Sequence, residues 1–460
     1  GWNNGGMGFD AGKKSDIYGT YLGLVYLTPF IGGLLADRIL GYRRSIIMGG
    51  LMMSAGYFCL SIHNETSFYV ALMLIILGNG FFKPNISTLV GNLYSADDMK
   101  DKKDAGYNIF YMGINIGAFI CNFVAAYMRI NYGWGHAFAA AGVGMLIGVG
   151  VFLLGTKHIK HVDVVKPVQE GDMSTVRIFS MTVLPMFVFG ILGYMIPGNF
   201  LGSDTNDAFI IGCLPVIAFF IYLAFKSEAK ESRAIKALLA VFACVILFFA
   251  IFHQNGDALT VWAEDHTNRE MSEGVANVAG SVGMAQVVVN NDIVSSSDSE
   301  FKATIDSMRK VEEGMPKVTK AELKAKADFS GEISQLESSR KYFATLPKDE
   351  VPAKGEDMKL YSTELYQSIN PFWVVTLTPV IVGFFGWMRR RKREPSTPTK
   401  IAIGLVITAL SALVMVGFLF SRLKWSITKL CPILKTQGKN LPSSLYFPAF
   451  KVLITLIKVS

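Results

Sequence analysis

Apolar residues run along this chain in long blocks separated by short charged loops. A block of about 20 apolar residues covers the hydrocarbon core of a bilayer as a helix. Ten such spans are predicted, at 17–38, 44–62, 67–92, 105–128, 133–155, 179–197, 208–226, 235–260, 365–388 and 399–421. Between the eighth and ninth lies a polar stretch, 264–364, rich in Lys, Glu, Asp and Ser. Its segment 299–343 has helical periodicity and mixed charge, which predicts a small helical cap, read as a solvated insertion without catalytic duty.

Composition agrees with a polytopic membrane protein. Of 460 residues 51% are hydrophobic and only 17% charged, against about 25% charged in soluble domains. The net charge of +8 does not imply nucleic acid, because the cations sit in short loops between apolar spans. Arg38, Arg43 and Arg44, then Lys100, Lys102 and Lys103, then Lys157 and Lys160, then Lys226 and Lys230, then Arg389 to Arg393 all fall in alternate loops, which places those loops in the cytoplasm. The intervening loops hold almost none; Arg129 is the exception. Under this orientation 264–364 is extracytoplasmic. Residues 1–16 then form an outside loop that follows a missing first helix. The segment 422–460 puts Arg422, Lys424, Lys429, Lys435 and Lys439 outside, and reads as an unmatched tail or an incomplete end. The five cysteines stand apart, without disulfide or metal spacing, as packing or lipid-facing residues. No nucleophile, base and orienting residue occur at a suggestive spacing, so an enzyme is not expected, nor a metal or cofactor.

Lys83 stands inside an otherwise apolar stretch, about ten residues from cytoplasmic water. A cation at that depth costs on the order of 3 kcal/mol and persists where it pairs or lines a wet cavity. It points to a transport pathway. His253 and Asp257, four apart, share one face if the helix continues through them. Asn115 and Asn370 are amides in apolar helices, able to donate and accept toward a peptide backbone; their alternatives are helix-to-helix hydrogen bonds or a kink linked to Pro371.

The run GGLLADRILGYRR (32–44) resembles the cytoplasmic signature loop of the major facilitator superfamily, which implies that Asp37, Arg38, Arg43 and Arg44 latch neighbouring helices. The basic run 388–400 occupies the equivalent loop of a second half. GNGFFKPNISTLVGNLY (78–94) followed by AGYNIFYMGINIGAFI (105–120) resembles the paired signatures of the proton-dependent oligopeptide transporter (POT/PTR) family. HQNGDALTVWAE (253–264) and YQSINPFWVVTLTPV (366–380) resemble that family's seventh and eighth core helices. The resemblance implies an all-α major facilitator fold. Core helices 2 to 6 lie at 17–155, two inserted linker helices at 179–226, core helix 7 at 233–263, and core helices 8 and 9 at 365–421.

It further implies proton-coupled symport of di- and tripeptides by a monomer in the bacterial cytoplasmic membrane, with protons as the coupling ion. Tyr26, Lys83, Asn115, Phe249, His253 and Asn370 would bind substrate; Lys83, His253 and Asp257 would carry proton coupling. The chain departs from the family at His253, where a glutamate is usual. An imidazole titrates near physiological pH and can itself carry the proton, with Asp257 supplying negative charge. The acidic, arginine-bearing motif of the family's first helix and the glutamate–proline motif of its tenth core helix are not in view. Two other readings stay open: a carrier of nitrate, amino acids or other small solutes on the same scaffold, or a non-transporting receptor or fragment.

Overall fold

The computed structural model describes residues 9, 11–62, 64–95, 102–163, 173–198, 202–256, 260, 263–264, 267–316, 320–346, 349–396, 399–411 and 413–414. The chain forms two compact units, Gly1–Gly383 and Phe384–Ser460. The first opens with five long helices, α1 (Ala11–Leu35), α2 (Tyr42–Leu60), α3 (Glu65–Leu93), α4 (Lys103–Tyr132) and α5 (Trp134–Ile159). Next come α6 (Thr175–Met181), α7 (Val183–Tyr194), α8 (Asp204–Lys226) and α9 (Ala229–Phe252).

In lipid, apolar side chains gain little by leaving acyl chains for one another, so helices associate through close backbone approach and hydrogen bonds. Both devices occur here. Between α2 and α3 the seam is glycine: a Cβ on Gly49 would stand 2.5 Å from the Gly78 carbonyl oxygen, and one on Gly56 would stand 2.7 Å from Ile75. Between α1 and α3 the seam is polar. Thr28 Oγ1 donates to the Ile76 carbonyl at 3.0 Å, Asn79 Nδ2 to Val25 at 2.9 Å and Asn85 Nδ2 to Gly32 at 3.3 Å. Ile76, Asn79, Gly80 and Lys83 follow the i, i+3, i+4, i+7 pattern, so this seam turns Lys83 toward α1. Pro84 lies inside α3 and has no N–H, so the Gly80 carbonyl lacks its helical donor; the Gly80 backbone in turn occupies the space a Cβ on Gly32 would need.

Among the described residues seven stretches are long and apolar enough to cross a membrane: Gly12–Leu40, Glu65–Leu93, Ala105–Tyr132, Trp134–Val162, Thr175–Tyr194, Asp204–Lys226 and Thr363–Arg390. The expected spans at 44–62, 235–260 and 399–421 are not among them; of these, 257–259, 412 and 415–421 lie outside the described residues. In α2 the buried positions include Ser45, Gly49, Gly50, Ser54 and Gly56, which serve packing and lower its hydropathy. In α9 the first turns carry Lys230, Glu231, Arg233 and Lys236, and the α-helix ends at Phe252. The span at 179–197 is two helices broken at Thr182, whose Oγ1 donates to the Ile178 carbonyl at 2.7 Å.

The polar insertion is helical in the segment whose periodicity suggests it, 299–343, and adds a pair of strands, one on either side of that segment. It contains α10 (Glu273–Ser281), β1 (Gln286–Val289), α11 (Asp292–Ser295), α12 (Asp298–Gly314), α13 (Lys320–Phe343) and β2 (Asp357–Leu360). The strands pair antiparallel with Gln286 opposite Leu360 and Val289 opposite Asp357. Val288, Ile305, Ile333, Leu336, Tyr342 and Leu360 form its own buried core. α12 starts on a capping box in which Ser297 and Glu300 satisfy each other's backbone N–H. The hydrogen bonds from Ser297 hold the Glu300 carboxyl below its usual range. A short helix, α14 (Thr363–Tyr366), then leads into α15 (Ile369–Arg390).

In the second unit, where α15 ends, Glu394 accepts from Arg389 Nε at 2.6 Å and from Lys400 Nζ at 2.5 Å. These bonds depress its carboxyl from the usual 4.5 to about 2. A depressed carboxyl stabilises the knot above its unfolded value, and that contribution is lost as pH falls through the folded one. The knot is therefore complete above about pH 4.5 and undone toward pH 2. A carboxyl NMR titration should place the Glu394 inflection near 2 and return it toward 4.5 in Arg389→Gln; an unshifted inflection in the unmutated protein refutes the pairing.

Candidate functional site

Three helices bring four of the expected residues together. Lys83, from α3, sets its ammonium 4.7 Å from the centre of the Tyr26 ring of α1. Such a contact contributes on the order of 0.5–2 kcal/mol, most when water is excluded. The Tyr26 ring in turn lies 5.6 Å from Phe249 and 5.4 Å from His253. Phe249 and His253 stack on each other at 5.4 Å with their planes 19° apart. Tyr26 keeps 47% of its surface open and Lys83 is exposed, so the cluster borders free space and is not a sealed core. Among the described residues the ammonium has no carboxylate partner.

His253 does not sit inside an α-helix. It begins a 3-10 turn, His253–Gly256, directly after α9. Asp257, expected to share a helical face with His253, lies outside the described residues. His253 Nε2 is enclosed and has no hydrogen-bond partner among the described residues. An enclosed, unpaired ring nitrogen costs on the order of 1–3 kcal/mol, a debt that a bound donor would remove.

Sequence reasoning missed Tyr18 and Gly256. The Tyr18 hydroxyl occupies the space that a Cβ on Gly256 would take, so α1 and this turn meet through the tyrosine's tip. The signal was present as two tyrosines on α1, Tyr18 and Tyr26, at i and i+8.

The two asparagines stand apart from this cluster. Asn115 is buried in α4 and donates Nδ2 to its own helix, at the Tyr111 carbonyl, 2.8 Å away. That back-bond is neither of the alternatives the sequence suggested. Asn370 is exposed in the first turn of α15, where Pro371 needs no N–H partner and produces no kink. The nearest link between these positions is aromatic: Phe119, one turn after Asn115, lies 6.1 Å from Phe372.

The signature loop forms a knot at the other end of α1. A π-turn, Ala36–Leu40, and Gly41 at φ 79° lead into α2. Asp37 Oδ1 accepts from the Tyr42 hydroxyl at 2.7 Å. Arg43 Nε reaches Asp163 Oδ2 at 2.6 Å, and Asp163 Oδ1 also accepts from the Tyr42 and Arg43 backbone N–H groups at 2.9 and 3.2 Å. Asp163 thus caps α2 from beyond α5, favourably placed at the positive end of the helix dipole. Arg44 is exposed. Asp163 was not foreseen, because its partner lies some 120 positions away in sequence.

Two cavities, of about 470 and 430 Å³, lie elsewhere, one in the insertion and one lined by α1, α3 and Thr205. Neither is lined by Lys83 or His253. Among the described residues no group of three His, Cys, Asp or Glu could hold a metal. One fixed cation beside aromatic faces and an unpaired imidazole suits a small solute that carries a carboxylate and a variable side chain.

The model of the PTR2 family, described as the POT family, matches residues 43–279. A di-/tripeptide transporter of Lactococcus lactis subsp. lactis is 27% identical over 423 residues, 90% of this chain and 68% of that protein. A di-/tripeptide transporter of Lactococcus lactis subsp. cremoris is 33% identical over 276 residues, 58% of this chain and 55% of that protein. A crystal structure of a peptide transporter POT in complex with sulfate superposes with a TM-score of 0.56 at 26% identity, covering 90% of this chain and 67% of that one. The chain thus spans between about half and two thirds of the length of these relatives.

Proposed function

Because this chain belongs to the POT family, we propose that the intact protein is a proton-driven importer of di- and tripeptides, working by alternating access as a monomer in a bacterial cytoplasmic membrane. The observation that carries the proposal is the meeting of Lys83, Tyr26, Phe249 and His253 from three helices around one open space. A dipeptide always presents a carboxylate, an ammonium and an amide, while its side chains vary. Lys83 meets the carboxylate, and the aromatic rings accept variable side chains.

Lys83 is also the hinge of coupling. With the coupling carboxylates ionised it is held within the protein; protonation together with peptide frees it. Each proton entering gains about 2.3 kcal/mol per 100 mV of inside-negative potential. His253 stands where the resemblance places a glutamate, and its unpaired Nε2 suits it to carry the proton. Asp257 supplies the negative charge, Asn115 and Asn370 bind the peptide backbone away from the Lys83 cluster, and Asp37, Arg38, Arg43 and Arg44 hold the inner latch. No cofactor takes part.

The test is uptake of a labelled dipeptide into proteoliposomes of the full-length protein under an imposed pH gradient, inside alkaline. Accumulation that unlabelled di- and tripeptides suppress, and nitrate or free amino acids do not, is expected. His253→Gln should lower gradient-driven accumulation at least about tenfold, the scale of one charge-assisted hydrogen bond, while leaving peptide exchange without a gradient largely intact. Suppression by nitrate alone would move the assignment to an anion carrier.

A further inference from the structure

Arg129 breaks the charge asymmetry that every other short outside loop obeys, and the structure shows what it does there. It ends α4, and its side chain leaves that helix for the far end of the polar insertion. Nη2 donates to Glu364 Oε2 at 3.0 Å and to Ser362 Oγ at 3.0 Å, and Nε lies 2.5 Å from Glu364 Oε1. Both side chains are only 16% exposed. The guanidinium is steadied from its other side by the Trp134 ring, 5.5 Å away. Two residues further along α4, Asn131 Nδ2 donates to the Gly283 carbonyl of the insertion at 2.8 Å. Glu364 belongs to α14, the short helix that feeds α15.

We propose that the insertion 264–364 is an outer strap, and that the Arg129–Glu364 pair must part before the extracytoplasmic side can open. By the family resemblance α4 is a helix of the first bundle and α15 of the second, so the pair, which lies within one compact unit here, ties together the two bodies that alternating access would separate. Two-point contact between a guanidinium and a carboxylate, shielded from water, is among the stronger non-covalent links a protein makes. Asn131 adds a second tie to the same folded insertion, whose own core lets it transmit a pull from Gly283 to Glu364. The inference rests on alternating access between two bundles and not on which solute is carried.

The test uses the full-length protein with its native cysteines replaced and spin labels at Tyr132→Cys and Ile369→Cys, both exposed positions on either side of the pair. Distances are read without solute by pulsed electron resonance. A short distance should dominate in the parent. In Glu364→Gln the ratio of long to short should rise about tenfold, the scale of one charge-assisted bond. The swap Arg129→Glu with Glu364→Arg should restore the short distance, which a general loss of folding would not allow. An unchanged distribution in Glu364→Gln, or a loss of the short distance that the swap fails to recover, overturns the strap. Because no solute is present, either result is separate from the uptake experiment.

Discussion

Lys83→Ala in the full-length protein should abolish gradient-driven dipeptide uptake, by about 100-fold or more at equal protein in the membrane. The ammonium is the one charge in a stretch of α3 that is otherwise uncharged for many residues on either side, and it lies over the Tyr26 ring. A shielded charge contact to substrate is worth on the order of 2–5 kcal/mol, and about 3 kcal/mol corresponds to two decades in rate or affinity. Lys83→Arg should not rescue fully, because a planar fork cannot occupy the place of a compact ammonium over one tyrosine ring. Tyr26→Phe keeps the ring face and should lose far less than Lys83→Ala. Driven uptake within about threefold of the parent in Lys83→Ala would remove this residue from the pathway; about 0.6 kcal/mol is too little for the assigned role.

The second large effect is structural. Gly49→Leu should prevent stable assembly of α2 on α3, seen as loss of a monodisperse peak on size exclusion in detergent. The smaller change Gly49→Ala separates two opposing contributions. Alanine gains up to about 1 kcal/mol in helix propensity over glycine. Its Cβ, however, would lie 2.5 Å from the Gly78 carbonyl oxygen and 2.8 Å from the Phe82 nitrogen, both backbone atoms that cannot swing aside. Overpacking of that kind costs on the order of 1–3 kcal/mol, so the clash outweighs propensity and the melting temperature should fall. Gly148→Ala in α5, where no atom lies within 4 Å of the new carbon, has only the propensity gain and should not destabilise. Equal stability of Gly49→Ala and the parent would show that α2 and α3 do not pack as closely as described.

Both effects trace to features that differ in how openly the sequence displays them. Long helices are legible because their apolar runs exceed anything a soluble core needs, and Lys83 is legible because a lone cation interrupts one of them. Phe249, His253 and Lys83 all meet the Tyr26 ring; of these, Tyr26, Phe249 and His253 became candidates through family register. The misses share a cause. Asp163 caps a helix that begins some 120 positions earlier, β1 pairs with a strand across more than sixty intervening residues, and Arg129 finds Glu364 at a separation of 235. Pattern reading works within one element, and these contacts are set by the meeting of two. Asn115 differs: one of its two amide N–H groups is already taken by its own helix at Tyr111, a local bond that a scan for apolar helices does not show. The end of α9 at Phe252 was overrun because HQNG is short and polar enough to pass for one more turn. The valine triplet at 287–289 did signal a strand, but inside a polar region scanned for helical period it passed unnoticed.

One detail of α3 bears on how the cycle moves. Pro84 directly follows Lys83, so the ladder of that helix is already one rung short, at Gly80. A rod weakened at a single joint flexes there first, and bending at this joint breaks no bond that was ever made. The charged residue therefore sits beside the joint at which α3 bends most easily, so a bend of that helix changes the distance between the ammonium and the tyrosine face.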